Sequence, residues 1–236
     1  MMVNRVAHED GISPGASCYT APEAARLLKI PALNIRRWLG GYSYRHRGEQ
    51  IAQPPLWTPQ LPRRGRQIDL GFRDLVELRF VDAFLKAGLS LSTIRKCLEH
   101  ARREVDDDRP FSTRRFQTDG RTIFFEGIAS SDESAVLDLK NSQFVFKRII
   151  ERTFRDLDFE NDAVSRWRPY HGKQSIVIDP QRSFGQPIAA KFGVPTVTLF
   201  EAVAAEGSVE RVAYLFDVPV SLVRDALLFE TELSAA

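Results

Sequence analysis

The stretch YTAPEAARLLKIPALNIRRWLGGY, residues 19–42, decides the reading of the front of this chain. Thr20 suits an N-cap, and Glu23 three residues on completes a capping box ahead of AARLLK. A helix is therefore expected from about residue 21, with Ala24, Leu27 and Leu28 as its apolar stripe. KIPAL turns the chain, a second helix runs from about Pro31 to Leu39, and Gly40 and Gly41 end it. Two short helices across a tight turn make a helix-turn-helix, whose second member lies in the DNA major groove in the usual docking. On that second helix Leu33 and Trp38 are expected to face the first, leaving Asn34, Arg36 and Arg37 partly exposed.

Outward from this unit, residues 41–75 trade helical periodicity for Pro, Gly and Arg. They suggest a wing loop with short strands, and Arg45, Arg47, Arg63, Arg64 and Arg66 in it suit phosphate contacts. FRDLVELRFVDAFLKAGLSLSTIRKCLEHARRE then supplies two more helices. The first carries Leu75, Leu78, Val81 and Leu85 and stops at Gly88; the second spans about Ser90 to Arg103. VDDDRP breaks the pattern and is taken as a domain boundary.

Beyond it, RRFQTDGRTIFFEG is expected to form a hairpin, because β-prone runs flank Asp119-Gly120, a pair that tight primed turns favour. AVLDLKNSQFVFKRIIERTF adds a short strand and a helix. LDFENDAVSRWRP returns as strand or hairpin with Trp167 packing inward. IVIDP gives another short strand ahead of a Gly/Pro-rich turn region, and three helical segments close the chain, the middle one capped by Ser208. Those last helices have a second helix-turn-helix shape, but the final one offers only Arg224 as a cation, beside Asp225 and Glu230. Shape without positive charge points to a protein-binding or dimerising role, with Leu222, Val223, Leu227, Phe229 and Trp167 as interface candidates.

Charge divides along the same line. The formal net charge is +2, yet residues 1–105 carry 17 Lys and Arg against 10 Asp and Glu, and residues 106–236 carry 16 against 21. A basic front suits a polyanion and an acidic rear suits a basic protein partner. With 43% hydrophobic and 27% charged residues the chain falls in the ordinary globular range. Its apolar runs are too short to span a bilayer, and the first 18 residues have no apolar core of a signal peptide, so a flexible leader and a cytoplasmic location are expected. Cys18 and Cys97 lie far apart without metal-ligand spacing, and both are expected reduced.

The segment from Tyr19 to about Arg103 resembles the DNA-binding region of the MerR family of winged helix-turn-helix proteins, carried by YTAPEAARLLKIP, IRRWL and FRDLVELRFVDAFLKAGLSLSTIRKCL. Family regulators usually continue into a long dimerising helix, which DDDRPF cuts off here. Ile176 to Glu230 resembles a small domain of antitoxins in VapBC-like toxin-antitoxin pairs, on IVIDP, FGQP, GVPT and EGSVERVAYLFDVPVSLVRDALLFE. Many members carry a GTR-[IV]-P stretch where this chain has KFGVP. The whole arrangement is similar to long VapB-like antitoxins, which implies a PIN-type ribonuclease toxin as partner and operator DNA as ligand.

The organisation expected is mainly α with a small α+β middle. A leader at 1–18 precedes a MerR-like winged helix-turn-helix at 19–105, a hairpin/helix module at 111–173 and a trihelical, helix-turn-helix-like domain at 174–236. Arg36 and Arg37 are the leading DNA-binding candidates, since a guanidinium forks onto guanine or clamps phosphate, although an arginine pair also serves as a solvated helix face. Asn34 suits either adenine or a local hydrogen bond. Thr20 joins the candidate set at the start of the first helix. The three tryptophans suit core or interface anchors. His8, His46, His100 and His171 fall in no triad-like or HExxH neighbourhood, and no phosphate-binding glycine loop appears. The expectation is a non-enzymatic, homodimeric antitoxin that represses its own operon and needs no cofactor or metal. A free-standing regulator with a ligand-sensing or dimerising rear half is the other reading.

Overall fold

The computed structural model describes residues 17–129 and 139–235, except Arg64 and Arg66. Leader residues 1–16 and most of the short strand expected ahead of Leu139 lie outside the described residues.

The fold is mainly helical with small sheets. Strand β1 (Tyr19–Thr20) runs into α1 (Ala21–Leu28), where Thr20 and Glu23 form the expected capping box. Lys29 turns the chain in a left-handed conformation, and α2 (Ala32–Gly40) follows, closed by Gly41 at φ 71°. Strands β2 (Tyr42–His46) and β3 (Glu49–Gln53) form the wing, pairing in register from Tyr42 opposite Gln53 to His46 opposite Glu49. Its turn is Arg47-Gly48, both at positive φ, as a two-residue primed hairpin turn requires. Strand β4 (Asp69–Leu70) returns to pair with β1. Helices α3 (Phe72–Lys86) and α4 (Leu91–Val105) take the expected spans, the second with Ser90 as its N-cap.

The segment from Arg114 to Ala129 corrects the sequence reading: it is one helix, α5, and not a hairpin. Phe116, Gly120, Ile123, Phe124 and Gly127 are buried at helical spacing. Thr113 caps the start by accepting from the Phe116 amide at 3.1 Å. The two glycines serve packing. A Cβ on Gly127 would stand 3.2 Å from the Cα of Cys97 on α4, so the missing side chain lets α4 and α5 close together. Helix α6 (Leu139–Phe154) leads into β5 (Leu157–Glu160) and β6 (Ala163–Trp167), the hairpin expected there, with Trp167 buried. Strands β7 (Ile176–Ile178) and β8 (Pro187–Ala189) extend it to a four-stranded antiparallel sheet in sequential order. Helices α7 (Thr196–Glu206), α8 (Val209–Leu215) and α9 (Val220–Ser234) form the tail, α8 capped by Ser208.

One hydrophobic cluster runs from Tyr19 through the middle of the chain to Phe229 and Leu233, and a smaller one lies among the tail helices. At the centre of the first, Phe80 and Phe84 of α3 meet Phe111, Phe116 and Phe124, and Phe84 stacks on Phe146 at 5.0 Å. Packing therefore crosses the Asp-rich stretch. That stretch is itself tied down: Asp106 ends α4 in a left-handed turn, Asp107 pairs with Arg73 at 2.8 Å, and Arg109 pairs with the fully buried Asp74 at 2.8 Å. Asp74 also accepts from the Trp57 indole and the Gln60 and Gly71 amides, so its charge is well compensated. One turn further on α3, Glu77 is 1% exposed and accepts the Ser112 amide, and its Oε2 has no hydrogen-bond partner among the described residues. Burial pushes its carboxyl up to about 8, against the lowering pull of Arg73 and Ser112.

Candidate nucleic-acid interface

Helix α2 has two faces. Ile35, Trp38 and Leu39 are buried against the rest of the front unit, whereas Leu33, Arg36 and Arg37 are exposed. Leu33 is 55% exposed, which corrects the expectation that it packs on α1. Ile35 takes that role, because the i, i+3, i+4 pattern that buries Ile35, Trp38 and Leu39 forces Leu33 onto the opposite side with Arg36 and Arg37. The outer face is thus two guanidinium groups flanking one apolar side chain. Asn34 is half-buried at the first turn, its backbone amide donating to Pro31 at 2.9 Å.

The wing stands beside this face. The Arg37 guanidinium lies 5.6 Å from the centre of the Tyr42 ring, a cation–π contact that restrains the arginine before any ligand arrives. Tyr44, two residues on, is 42% exposed. Arg45 is exposed on the wing and Arg47 is exposed at its tip. Arg63 donates from Nη2 to the Leu39 carbonyl at 2.8 Å, where a cation meets the negative end of the α2 dipole. Arg64 and Arg66 lie outside the described residues. Thr20 sits at the start of α1 with its hydroxyl committed to Glu23.

Several cations of α4 and the stretch just after it hold structure. Arg95 donates to the Pro54 and Pro55 carbonyls, Arg102 to Leu56 and Arg109 to Thr58, so three guanidinium groups tether the Pro-rich segment behind the wing. Burial lowers the pKa of Arg102 despite nearby acidic groups. Net charge alone therefore overstates the free positive charge of the front, of which Arg36, Arg37, Arg45 and Arg47 are exposed members. Among the described residues no cluster of His, Cys, Asp or Glu could hold a metal ion, and no helix is long and apolar enough to cross a membrane.

Of the expected interface residues, Trp167 on β6 and Leu222, Val223 and Phe229 on α9 are between 0% and 7% exposed, and Leu227 is half-buried. The stripe read as a partner surface faces α7, α8 and the main core instead. Among the described residues of α7, α8 and α9, Tyr214 at 85%, Leu215 at 54% and Leu228 at 55% are the large apolar side chains left outside. The Arg224–Glu210 ion pair at 3.0 Å links α9 to α8, one turn before Leu228 on α9 and one turn before Tyr214 on α8. The sequence signal for them was their position off the apolar period.

The front of the chain is a helix-turn-helix with an exposed arginine pair and a flanking wing. Residues 17–98 match a family described as "Putative DNA-binding HTH domain". Over 220 residues, 89% of this chain and 92% of the relative, the sequence is 27% identical to a Mycobacterium tuberculosis (strain ATCC 25618 / H37Rv) protein named "Putative antitoxin VapB45". The crystal structure of Rv2018 from Mycobacterium tuberculosis shares the fold, with a TM-score of 0.69 at 24% identity, covering 89% of this chain and 96% of that one. The resemblance of the sequence to a long VapB-like antitoxin is borne out by these likenesses.

Proposed function

We propose that this chain is an antitoxin of a toxin-antitoxin pair that binds operator DNA through α2 and the wing, represses its own operon, and silences a PIN-type ribonuclease. The observation that carries the reading is the outer face of α2, where Arg36 and Arg37 stand free of core packing with the wing alongside. The likeness to a named antitoxin over nine-tenths of the chain supports the rest. In this reading Arg36 and Arg37 contact bases or phosphates, Arg45 and Arg47 contact the backbone, and the front follows the MerR-like winged arrangement.

The tail takes the toxin. Residues 196–236 carry seven Asp and Glu against two Lys and Arg, and an acidic surface suits a nuclease whose RNA-binding face is basic. Tyr214, Leu215 and Leu228 are the exposed apolar anchors for that contact. Two copies bind a two-fold symmetric operator as a homodimer. Co-expression of the chain with a PIN-type protein encoded beside it tests the assignment. A stable co-purifying complex and rescue of growth are expected, and a toxin that stays lethal and unbound contradicts it.

A further inference from the structure

A cleft of about 670 Å³ opens between the helix-turn-helix and the middle of the chain, and the function proposed above does not use it. Its walls are two helix faces. Helix α3 contributes Arg79, Asp82, Ala83 and Lys86, and α6 contributes Ile149, Arg152, Thr153 and, just past its end, Asp156; both sets follow the i, i+3, i+4, i+7 period of one face. The apolar part of the lining comes from Leu27 and Leu28 at the end of α1 with Ala83 and Ile149, taken as the floor.

The back wall is held by Arg79, Asp156 and Trp167, with Arg79 Nη1 buried and without a hydrogen-bond partner among the described residues. Arg79 donates to both carboxylate oxygens of Asp156 at 2.9 and 3.0 Å, its guanidinium lies 4.6 Å from the centre of the Trp167 ring, and the Trp167 indole donates to Asp156 at 2.9 Å. At the mouth the balance is different. Lys86 has Asp82 at 2.6 Å, but Lys29, Arg152 and Arg155 are exposed and have no ion-pair partner among the described residues. Five cations thus line the cleft against two carboxylates, and both carboxylates are already matched. Lys29 occupies the turn between α1 and α2, so part of this unmatched charge sits at the joint of the helix-turn-helix.

We infer that the cleft binds a small amphipathic anion, its apolar or aromatic body on the Leu27–Ala83–Ile149 floor and its anionic group at Lys29, Arg152 and Arg155. The volume falls in the range of roughly 300–1,000 Å³ typical of small-molecule sites. An apolar floor under a cationic rim selects this class, because a bare inorganic anion leaves the floor wet and a neutral hydrocarbon leaves the rim unmatched.

The probe is 8-anilinonaphthalene-1-sulfonate, titrated into the full chain and followed by its fluorescence. One saturable site per chain is expected. Neutralising the rim with Arg152→Gln and Arg155→Gln, both exposed, weakens it by about tenfold or more. Ala83→Trp, which fills the floor and leaves every cation in place, abolishes it, whereas Arg36→Ala with Arg37→Ala leaves it unchanged and so separates the cleft from the DNA face. Neutral N-phenyl-1-naphthylamine binds less tightly than the sulfonate. The inference is overturned by the absence of a saturable signal, by several sites per chain, or by equal affinity in the rim and floor variants.

Discussion

The Tyr19 hydroxyl donates to the Gly185 carbonyl at 2.7 Å across 166 residues of sequence, with both partners buried. It joins the strand ahead of the helix-turn-helix to the turn before β8. Nearby, Arg26 of α1 reaches the buried Glu230 of α9 at 3.5 Å, and Glu230 also receives the Thr196 hydroxyl. The helix-turn-helix front and the acidic tail are therefore tied by buried polar contacts, where a lost partner is costly.

This joint should fail when its close approach is blocked. Gly185 has φ +78°, and a Cβ there would stand 2.2 Å from the Tyr19 hydroxyl and 2.5 Å from Ser17. Gly185→Ala is expected to lower stability by about 2 kcal/mol or more, and Tyr19→Phe by about 1–3 kcal/mol through the orphaned carbonyl. Urea melts of the full chain check both, and a Gly185→Ala protein as stable as the parent contradicts the contact.

Glu77 should make stability depend on pH in an unusual direction. Its proton leaves the unfolded chain near the ordinary 4.5 and the folded chain only near 8. Between these values the folded state holds the extra proton, so stability is full below about 4.5 and declines as pH rises, by about 1.4 kcal/mol per unit, levelling above about 8. Glu77→Gln should remove this slope and melt above the parent at pH 8. Thermal melts from pH 5 to 9 measure it, and an identical slope in both proteins counts against the buried carboxyl.

The phenylalanine cluster should make the front half dependent on the middle of the chain. Cutting after residue 105 strips Phe111, Phe116, Phe124 and Phe146 from Phe80 and Phe84, which are fully buried in the whole chain. Fragment 1–105 is expected to show no cooperative unfolding, and Phe84→Ala in the full chain to cost about 3–5 kcal/mol. A sharp calorimetric transition in the fragment would show that the front folds by itself.

Much of the fold was legible in the sequence where local chemistry and period agree. Thr20 with Glu23, Ser90 and Ser208 mark helix starts, and Gly41 marks an end, because caps act through neighbours within one turn. Asp119-Gly120 misled because a turn-prone pair was weighed above the longer period of Phe116, Ile123, Phe124 and Gly127, which only a helix packing on α4 can use. In the site, Arg36 and Arg37 were legible as exposed cations, but the position of Leu33 depends on which side of α2 the core occupies. The tail erred for a related reason. An apolar stripe such as Leu222, Val223 and Phe229 serves a core or a partner equally well, and only tertiary packing separates the two.

Leu33 offers an independent check of the DNA face. Being 55% exposed and packed on nothing in the core, it can be replaced by Ala with a stability change within about 0.5 kcal/mol. Operator affinity should still fall, since an apolar side chain between two arginines is placed to meet a thymine methyl. An unchanged binding curve for Leu33→Ala would remove this residue from the interface.

The central claim is tested most directly by the affinity of the full chain, and of its Arg36→Ala/Arg37→Ala variant, for the DNA duplex upstream of its own gene, measured across a salt series. Sequence-specific binding by the parent is expected, with a loss in the variant of about 1–3 kcal/mol for each base-reading contact removed and the fold intact by circular dichroism. Equal affinity of the two proteins at every salt concentration would contradict it.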